Sequence, residues 1–132
     1  MDWAVEAIPD ADHLYKRVHR VHITRNGIEP SAFKNLPKES EYMSVDWAKY
    51  STAQETRARE GKPGLNAVVQ LTTGEVRAVP GQGVQHLPTE GNRSHSGVTG
   101  KKTNRVQMAL SRICTVVIPL EQNFQEAESL NL

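Results

Sequence analysis

The sequence has few of the features that mark disulfide-stabilised, membrane-bound or secreted proteins. It contains one cysteine, and aromatic residues make up only 5% of it. The single cysteine, Cys114, excludes an internal disulfide, and its apolar neighbours favour a buried, inert thiol over a nucleophile. No apolar run approaches the ~20 residues needed to cross a bilayer. Residues 1–6 contain neither a basic segment nor a long apolar segment, so we expect no secretory signal.

These absences indicate a soluble, cytoplasmic protein without membrane association. A chain of 132 residues suits one domain and can bury a core without disulfide or metal crosslinks. We predict an acidic, flexible lead-in over residues 1–12, a single α+β domain over residues 13–119 and an acidic tail over residues 120–132.

Positive charge is concentrated in the middle of the chain. Residues 13–112 contain all 16 Lys and Arg residues but only 8 of the 15 acidic residues, whereas the two ends contain 7 acids and no base. The net charge of +1 therefore conceals a basic body between acidic ends. Clustered positive charge attracts anions, so the expected partners carry phosphate.

Hydrophobic periodicity predicts a mixed set of strands and helices. Alternation over His13–Thr24 and Tyr42–Trp47 indicates two strands. A helix is expected to begin at Ser51, with Gln54 completing a capping box, and another is expected from Thr103 to about Arg112. Segments 65–72 and 75–79 are interpreted as a hairpin across Thr73-Gly74, and 114–118 as a buried closing strand. The result is a small α+β domain with a mixed or antiparallel sheet and two or three short helices.

Two segments are interpreted as loops. Pro80–Arg93 is rich in Gly and Pro, although Val84–His86 could form a short strand within it. Asn92–Thr103 is glycine-rich and basic. Its Gly100-Lys101 pair matches half of the phosphate-binding P-loop motif, but His95 and Lys102 occupy positions where that motif needs Gly and Ser or Thr. A loop of this kind before a helix start could still bind an anion.

The predicted ligand-binding residues come from the first strand and from this second loop. The first strand combines cationic and titratable side chains at a density that exceeds the needs of an ordinary edge strand. For the loop, a flexible basic segment without a ligand is the alternative to phosphate binding. We expect a basic groove lined by Arg17, His19, Arg20, His22, His95, Lys101 and Lys102. The histidine spacing does not support a metal site, and no cofactor is indicated.

An enzyme acting on a nucleotide or phosphodiester is an alternative, with His19, Ser44 and His95 as candidate catalytic residues. The segment His22–Thr24 matches one copy of the His-x-Thr motif of two-histidine phosphoesterases, but no second copy is present. ADP-ribosyltransferase-like folds offer a looser analogy. There Arg17 or His19, Ser44, and Glu75 or Gln85 would take the catalytic roles.

Five short segments give the chain a resemblance to a family of small bacterial proteins. They are Tyr15–His19, Pro30–Lys34, Met43–Asp46, Leu71–Arg77, and His95 with Gly100-Lys101-Lys102. The resemblance covers about Leu14 to Ile118 and implies a bacterial, intracellular protein, but no activity.

The function expected from the sequence is binding of nucleic acid or a nucleotide, with a place as a small subunit of a larger assembly. The remaining alternative is a protein–protein adaptor that docks through its acidic ends or through residues 124–132.

Overall fold

The structure, a computed structural model, describes residues 3–35 and 41–120. Within these ranges it contains three α-helices, a six-stranded sheet in the order β6-β7-β4-β1-β5-β8, and a two-stranded sheet of β2 and β3. All neighbouring strands are antiparallel. This arrangement confirms the predicted α+β class.

The elements follow the chain in simple order. The strands are β1 (His13–His19), β2 (Ile23–Thr24), β3 (Gly27–Ile28), β4 (Tyr42–Trp47), β5 (Asn66–Thr72), β6 (Gly83–His86), β7 (His95–Thr99) and β8 (Thr115–Ile118). The helices are α1 (Ala53–Ala58), α2 (Thr73–Ala78) and α3 (Asn104–Ile113). Short 3-10 turns cover Arg20–His22, Pro30–Ala32 and Pro63–Leu65. No helix in the described part of the chain is long and apolar enough to span a membrane.

The six-stranded sheet has an inner and an outer face. The inner face carries alternate apolar residues of the central strands, including Leu14, Val69 and Val98, and it forms the core with Phe33 and Val76. Helix α3 packs on this face through its buried residues. The outer face is more polar, and helix α1 covers part of it. Side chains on opposite sides of β1 therefore have different environments.

The first predicted strand is shorter than expected. The chain leaves the extended conformation after His19, and Arg20–His22 form a 3-10 turn before β2. Strand β4 has the predicted bounds. The predicted helix after it also forms, but Thr52 rather than Ser51 caps it, in a capping box with Glu55.

The predicted hairpin over residues 65–79 is wrong. Residues Thr73–Ala78 form helix α2 directly after β5. Val76 and Val79 are both buried, and a spacing of three residues places them on one side of a helical turn. The alternation over Glu75–Val79 predicted a strand, which would place Val76 and Val79 on opposite faces. Helical spacing buries both valines, so it was the stronger signal.

The predicted basic loop at 92–103 is also wrong in its centre. Residues His95–Thr99 form β7, which lies between β4 and β6, and Ser96, Gly97 and Val98 are buried. Small side chains suit this strand because the Tyr42 ring lies against Gly97. An added Cβ there would approach that ring to 2.7 Å. Thr103 caps α3, as predicted.

Strand β8 lies at the edge of the sheet rather than inside it. Val116 and Val117 are 46% and 38% exposed, so the prediction of a buried closing strand is wrong. The residues that follow, 121–132, carry the predicted acidic tail and the amphipathic segment of the adaptor alternative. They lie outside the described residues.

Residues 3–12 pack on the domain, which corrects the expectation that the lead-in has no part in the core. Ile8 is only 3% exposed and belongs to the core. Arg77 donates hydrogen bonds to the Ile8 carbonyl and to Asp10, and the Trp47 indole donates to Asp12. The segment therefore joins α2 to the central strand β4.

Candidate functional site

The topology gathers most predicted ligand-binding residues at one end of the sheet. Strands β1 and β7 run in the same direction, because each is antiparallel to β4. Their last residues lie at the same end, together with the turn after β1 and the loop after β7. We call this the basic end and define it by Lys16, Arg17, His19, Arg20, His22, Lys34, Lys101 and Lys102.

His95 does not belong to the basic end. It is the first residue of β7 and pairs with Asp46, so the length of the strand, about 13 Å, separates it from Lys101. His95 therefore does not line the same surface as Lys101 and Lys102, in contrast to the predicted groove. Two acidic residues of the described ranges lie near members of the basic end in the sequence: Glu29 precedes Lys34, and Glu41 follows it.

Lys16 and Lys34 belong to the basic end but were not among the predicted ligand-binding residues, and Lys16 is the more informative of the two. On β1 it lies between Leu14 and Val18 on the inner face, and both of these residues are buried. Burial, together with the charges of Arg17 and Lys102, lowers the pKa of Lys16 to about 8. The sequence contained this signal, because a lysine on an otherwise apolar strand face is unusual.

Lys102 lies close enough to Lys16 for their charges to interact. Its ammonium donates hydrogen bonds to the carbonyls of Val98 and Gly100, at 2.9 and 2.6 Å. Burial lowers its pKa to about 8 as well. Among residues 3–35 and 41–120, no carboxylate forms an ion pair with either lysine. Backbone carbonyls therefore stabilise the Lys102 ammonium, and neither lysine is stabilised by an acid of the described residues.

Two histidines continue the positive surface from β1 towards the Pro30–Ala32 turn. The His19 ring accepts a hydrogen bond from the Val21 amide, and the His22 ring bonds to the Ser31 hydroxyl at 3.1 Å. Burial lowers the pKa of His22, and the charges of His19, Lys16 and Lys34 act in the same direction. At neutral pH an anion placed here would favour protonation of His22.

The outer face brings together a different set of predicted residues. Ser44 pairs with Gly97 across β4 and β7, and Gln85 pairs with the same glycine from β6. Arg17 and Ser44 both line a small notch between β1 and β4. Arg17 is held by a hydrogen bond from its guanidinium to the Thr56 carbonyl, at 2.8 Å. Three side chains of the ADP-ribosyltransferase analogy thus share one face, whereas Glu75 lies on α2.

His95 is also on the outer face, but it forms no catalytic pair with Ser44. Its Nδ1 donates to the Leu87 carbonyl at 2.8 Å, which leaves Nε2 as an acceptor, and its ring meets Tyr42 edge to face. His19 lies at the other end of the sheet. The three candidate catalytic residues therefore do not form a single site.

Asp46 organises the outer face and was not among the predicted site residues. It is 4% exposed and accepts hydrogen bonds from Thr56, Arg59 and Asn92 at 2.8, 2.6 and 2.9 Å. These contacts connect β4 to α1 and to the loop before β7. All of its bonds are internal to the protein, so its role is structural.

No group of three or more His, Cys, Asp or Glu side chains in the described ranges is placed to hold a metal ion. Comparison of the chain with protein-family models, with curated proteins and with solved structures finds no match in any of the three.

Proposed function

We propose that the basic end binds a phosphate-rich partner, a nucleic acid or a nucleotide. The observation that carries this proposal is the pair Lys16 and Lys102, two neighbouring part-buried ammonium groups without an acidic partner among the described residues. A buried charge is costly unless an opposite charge compensates it. A phosphate group would supply that charge.

The surrounding residues suit a partner with several phosphates. Arg17, Arg20 and Lys101 add fixed positive charge at the same end of the sheet, and guanidinium groups pair well with phosphate oxygens. His22 adds a charge that increases when an anion binds. Such a surface favours phosphate contacts over base-specific contacts, so we expect weak sequence preference.

The test is fluorescence anisotropy with labelled single- and double-stranded oligonucleotides. If several phosphates are neutralised, affinity should fall by about 10³ between low and moderate salt. The double variant Lys16→Met/Lys102→Met should weaken binding at least about tenfold. Lys49→Met is the matched control, because Lys49 lies beyond the other end of β4 and pairs with Glu6. Undetectable binding at low salt, or equal losses in both variants, would contradict the proposal.

A second candidate function is transfer chemistry on a dinucleotide at the outer face. The observation that favours it is the placement of Arg17, Ser44 and Gln85 on one face of the sheet, on β1, β4 and β6. The hydroxyl of Ser44 makes no hydrogen bond within the described part of the protein, so it is available to a ligand. Incubation with NAD and measurement of released nicotinamide tests this function. Ser44→Ala should abolish the release and Ser111→Ala on α3 should not.

A further inference from the structure

A cavity of about 380 Å³ lies between the first turn of α3 and the loop that precedes β6. Its apolar walls come from Val79, Pro80, Val106 and Ala109, and its rim carries Lys101 and Arg105. Cavities above about 300 Å³ commonly accept small molecules. The cavity lies at the basic end, because Gly83 of β6 pairs with Thr99, the last residue of β7.

Close packing of two loops holds this cavity in shape. Gly81 and Gly100 both have positive φ, 81° and 106°, a conformation that favours glycine. A Cβ at Gly100 would lie 2.1 Å from the Gly81 carbonyl oxygen. The Gln82 side-chain amide donates to the Lys101 carbonyl at 3.0 Å. The loops before β6 and after β7 are therefore fixed against each other.

One buried polar atom beside the cavity has no partner. Gln82 lines the cavity and is 9% exposed, and its Oε1 has no hydrogen bond within the described part of the protein. Buried acceptors without a partner are uncommon and costly. This atom is enclosed in the structure, so a ligand with an N–H or O–H group would supply the missing bond once the Gln82 side chain turns Oε1 towards the cavity. The start of α3, a ten-residue helix, adds partial positive charge beside Lys101 and Arg105.

We propose that this cavity binds a nucleoside monophosphate. The base lies between the apolar walls and donates an N–H to Gln82 Oε1 once that side chain turns the atom towards the cavity, while the phosphate contacts Lys101, Arg105 and the start of α3. The inference rests on the proposed function only in the choice of phosphate as the anion. Its residues are distinct from the pair Lys16 and Lys102, so the two proposals can fail separately.

The experiment is an NMR titration of the full chain with AMP, with adenosine and with inorganic phosphate. AMP should shift the Gln82 side-chain amide and the backbone amides of Asn104 and Arg105, saturating at or below about 1 mM. Adenosine and phosphate alone should each bind at least about tenfold more weakly, because each makes only part of the contacts. No saturable shift at these three groups, or equal binding of phosphate and AMP, would overturn the proposal.

Variants separate the cavity from the rest of the surface. Gln82→Leu and Arg105→Ala should each weaken AMP binding about tenfold, and Ala109→Phe should abolish it by filling the cavity. Matched controls on α3 are Arg112→Ala and Met108→Phe, since both side chains are exposed and neither lines the cavity. Arg105 is exposed, so Arg105→Ala tests the proposal even if a buried variant fails to fold. Wild-type affinity in both Gln82→Leu and Arg105→Ala would overturn it.

The two proposals give different patterns of failure. Loss of oligonucleotide binding in Lys16→Met/Lys102→Met, without AMP shifts at Gln82, would overturn the cavity proposal alone. Saturable AMP shifts at Gln82, with unchanged oligonucleotide binding in the lysine variant, would support the cavity and contradict the role of the lysine pair.

Discussion

At the scale of single residues, buried Asp46 and part-buried Lys16 differ in how the protein compensates their charges. Asp46 accepts three hydrogen bonds from two helix or loop segments, so its charge is satisfied inside the protein. Lys16 has no ion pair in the described structure and a lowered pKa. A satisfied charge indicates a structural role, and the uncompensated charge of Lys16 is the basis of the proposed binding role.

Replacement of Asp46 should destabilise the protein strongly. Asp46→Ala leaves the Asn92 side-chain amide without its acceptor and the Arg59 guanidinium without its ion-pair partner, so it should lower the free energy of unfolding by about 3 kcal/mol. Urea denaturation measures the change. Glu90→Ala, which removes an exposed carboxylate, should change stability by less than about 0.5 kcal/mol. Similar effects of the two substitutions would show that the Asp46 network contributes little.

The two lysines should make stability rise with pH. Their ordinary pKa is 10.5 and their pKa in the folded protein is about 8. Below pH 8 both states are protonated and the cost of burying the charges is fully present. Between pH 8 and 10.5 the unfolded chain binds more protons, so the free energy of unfolding rises across this window.

Lys16→Met should reduce that rise and increase stability at neutral pH, because it removes one buried charge. Urea denaturation of the variant and of wild type at a series of pH values checks this expectation. Lys49→Met controls for other titrating groups, since the hydrogen bond that Lys49 donates to Glu6 raises the pKa of Lys49 instead. Parallel pH dependences for wild type and Lys16→Met would contradict it.

At the scale of elements, two segments show how context decides the structure. Residues Thr73–Ala78 became a helix because helical spacing buries both Val76 and Val79. The residues of β8 have strand propensity as predicted, yet their valines are exposed because the strand lies at the edge. Propensity identified β8 as a strand, but strand order, which depends on contacts distant in sequence, decided its burial.

The exposed edge strand should tolerate charge. Val117→Lys should change the free energy of unfolding by less than about 0.5 kcal/mol and slow aggregation on heating, because charged edges resist strand pairing between molecules. Thermal denaturation followed by light scattering measures both effects. Val68→Lys on β5, at a buried position, should cost more than about 4 kcal/mol. Strong destabilisation by Val117→Lys would place β8 in a covered position.

The segment 3–12 should contribute measurably to stability. Ile8→Ala should lower the free energy of unfolding by about 3 kcal/mol, because Ile8 is buried in the core. Val5→Ala, in the same segment but at a position that is 73% exposed, should have an effect below about 0.5 kcal/mol. Urea denaturation distinguishes the two. Equal and small effects would restore the original prediction of a peripheral lead-in.

At the scale of the whole molecule, the sequence predicts elements better than their arrangement. The alternation in Tyr42–Trp47 and the cap at Thr103 are local signals, and both predictions are confirmed. The separation of His95 from Lys101 is not local, because it depends on residues 95–99 lying extended in the sheet. The composition alone predicts a basic central region of the chain. Which cationic side chains lie close together depends on the direction of β7 in the sheet.

The contacts of the first residues have a consequence for synthesis. The Glu6 amide bonds to the His86 ring, 80 residues later, and the Arg77 guanidinium to the Ile8 carbonyl, 69 residues later. During synthesis, Ile8 stays exposed to solvent until α2 and β6 have left the ribosomal exit tunnel. This part of the core therefore forms late. A nascent chain stalled before Arg77 should therefore expose Ile8 to proteases and chaperones. A chain stalled after Leu120 has left the exit tunnel should protect it.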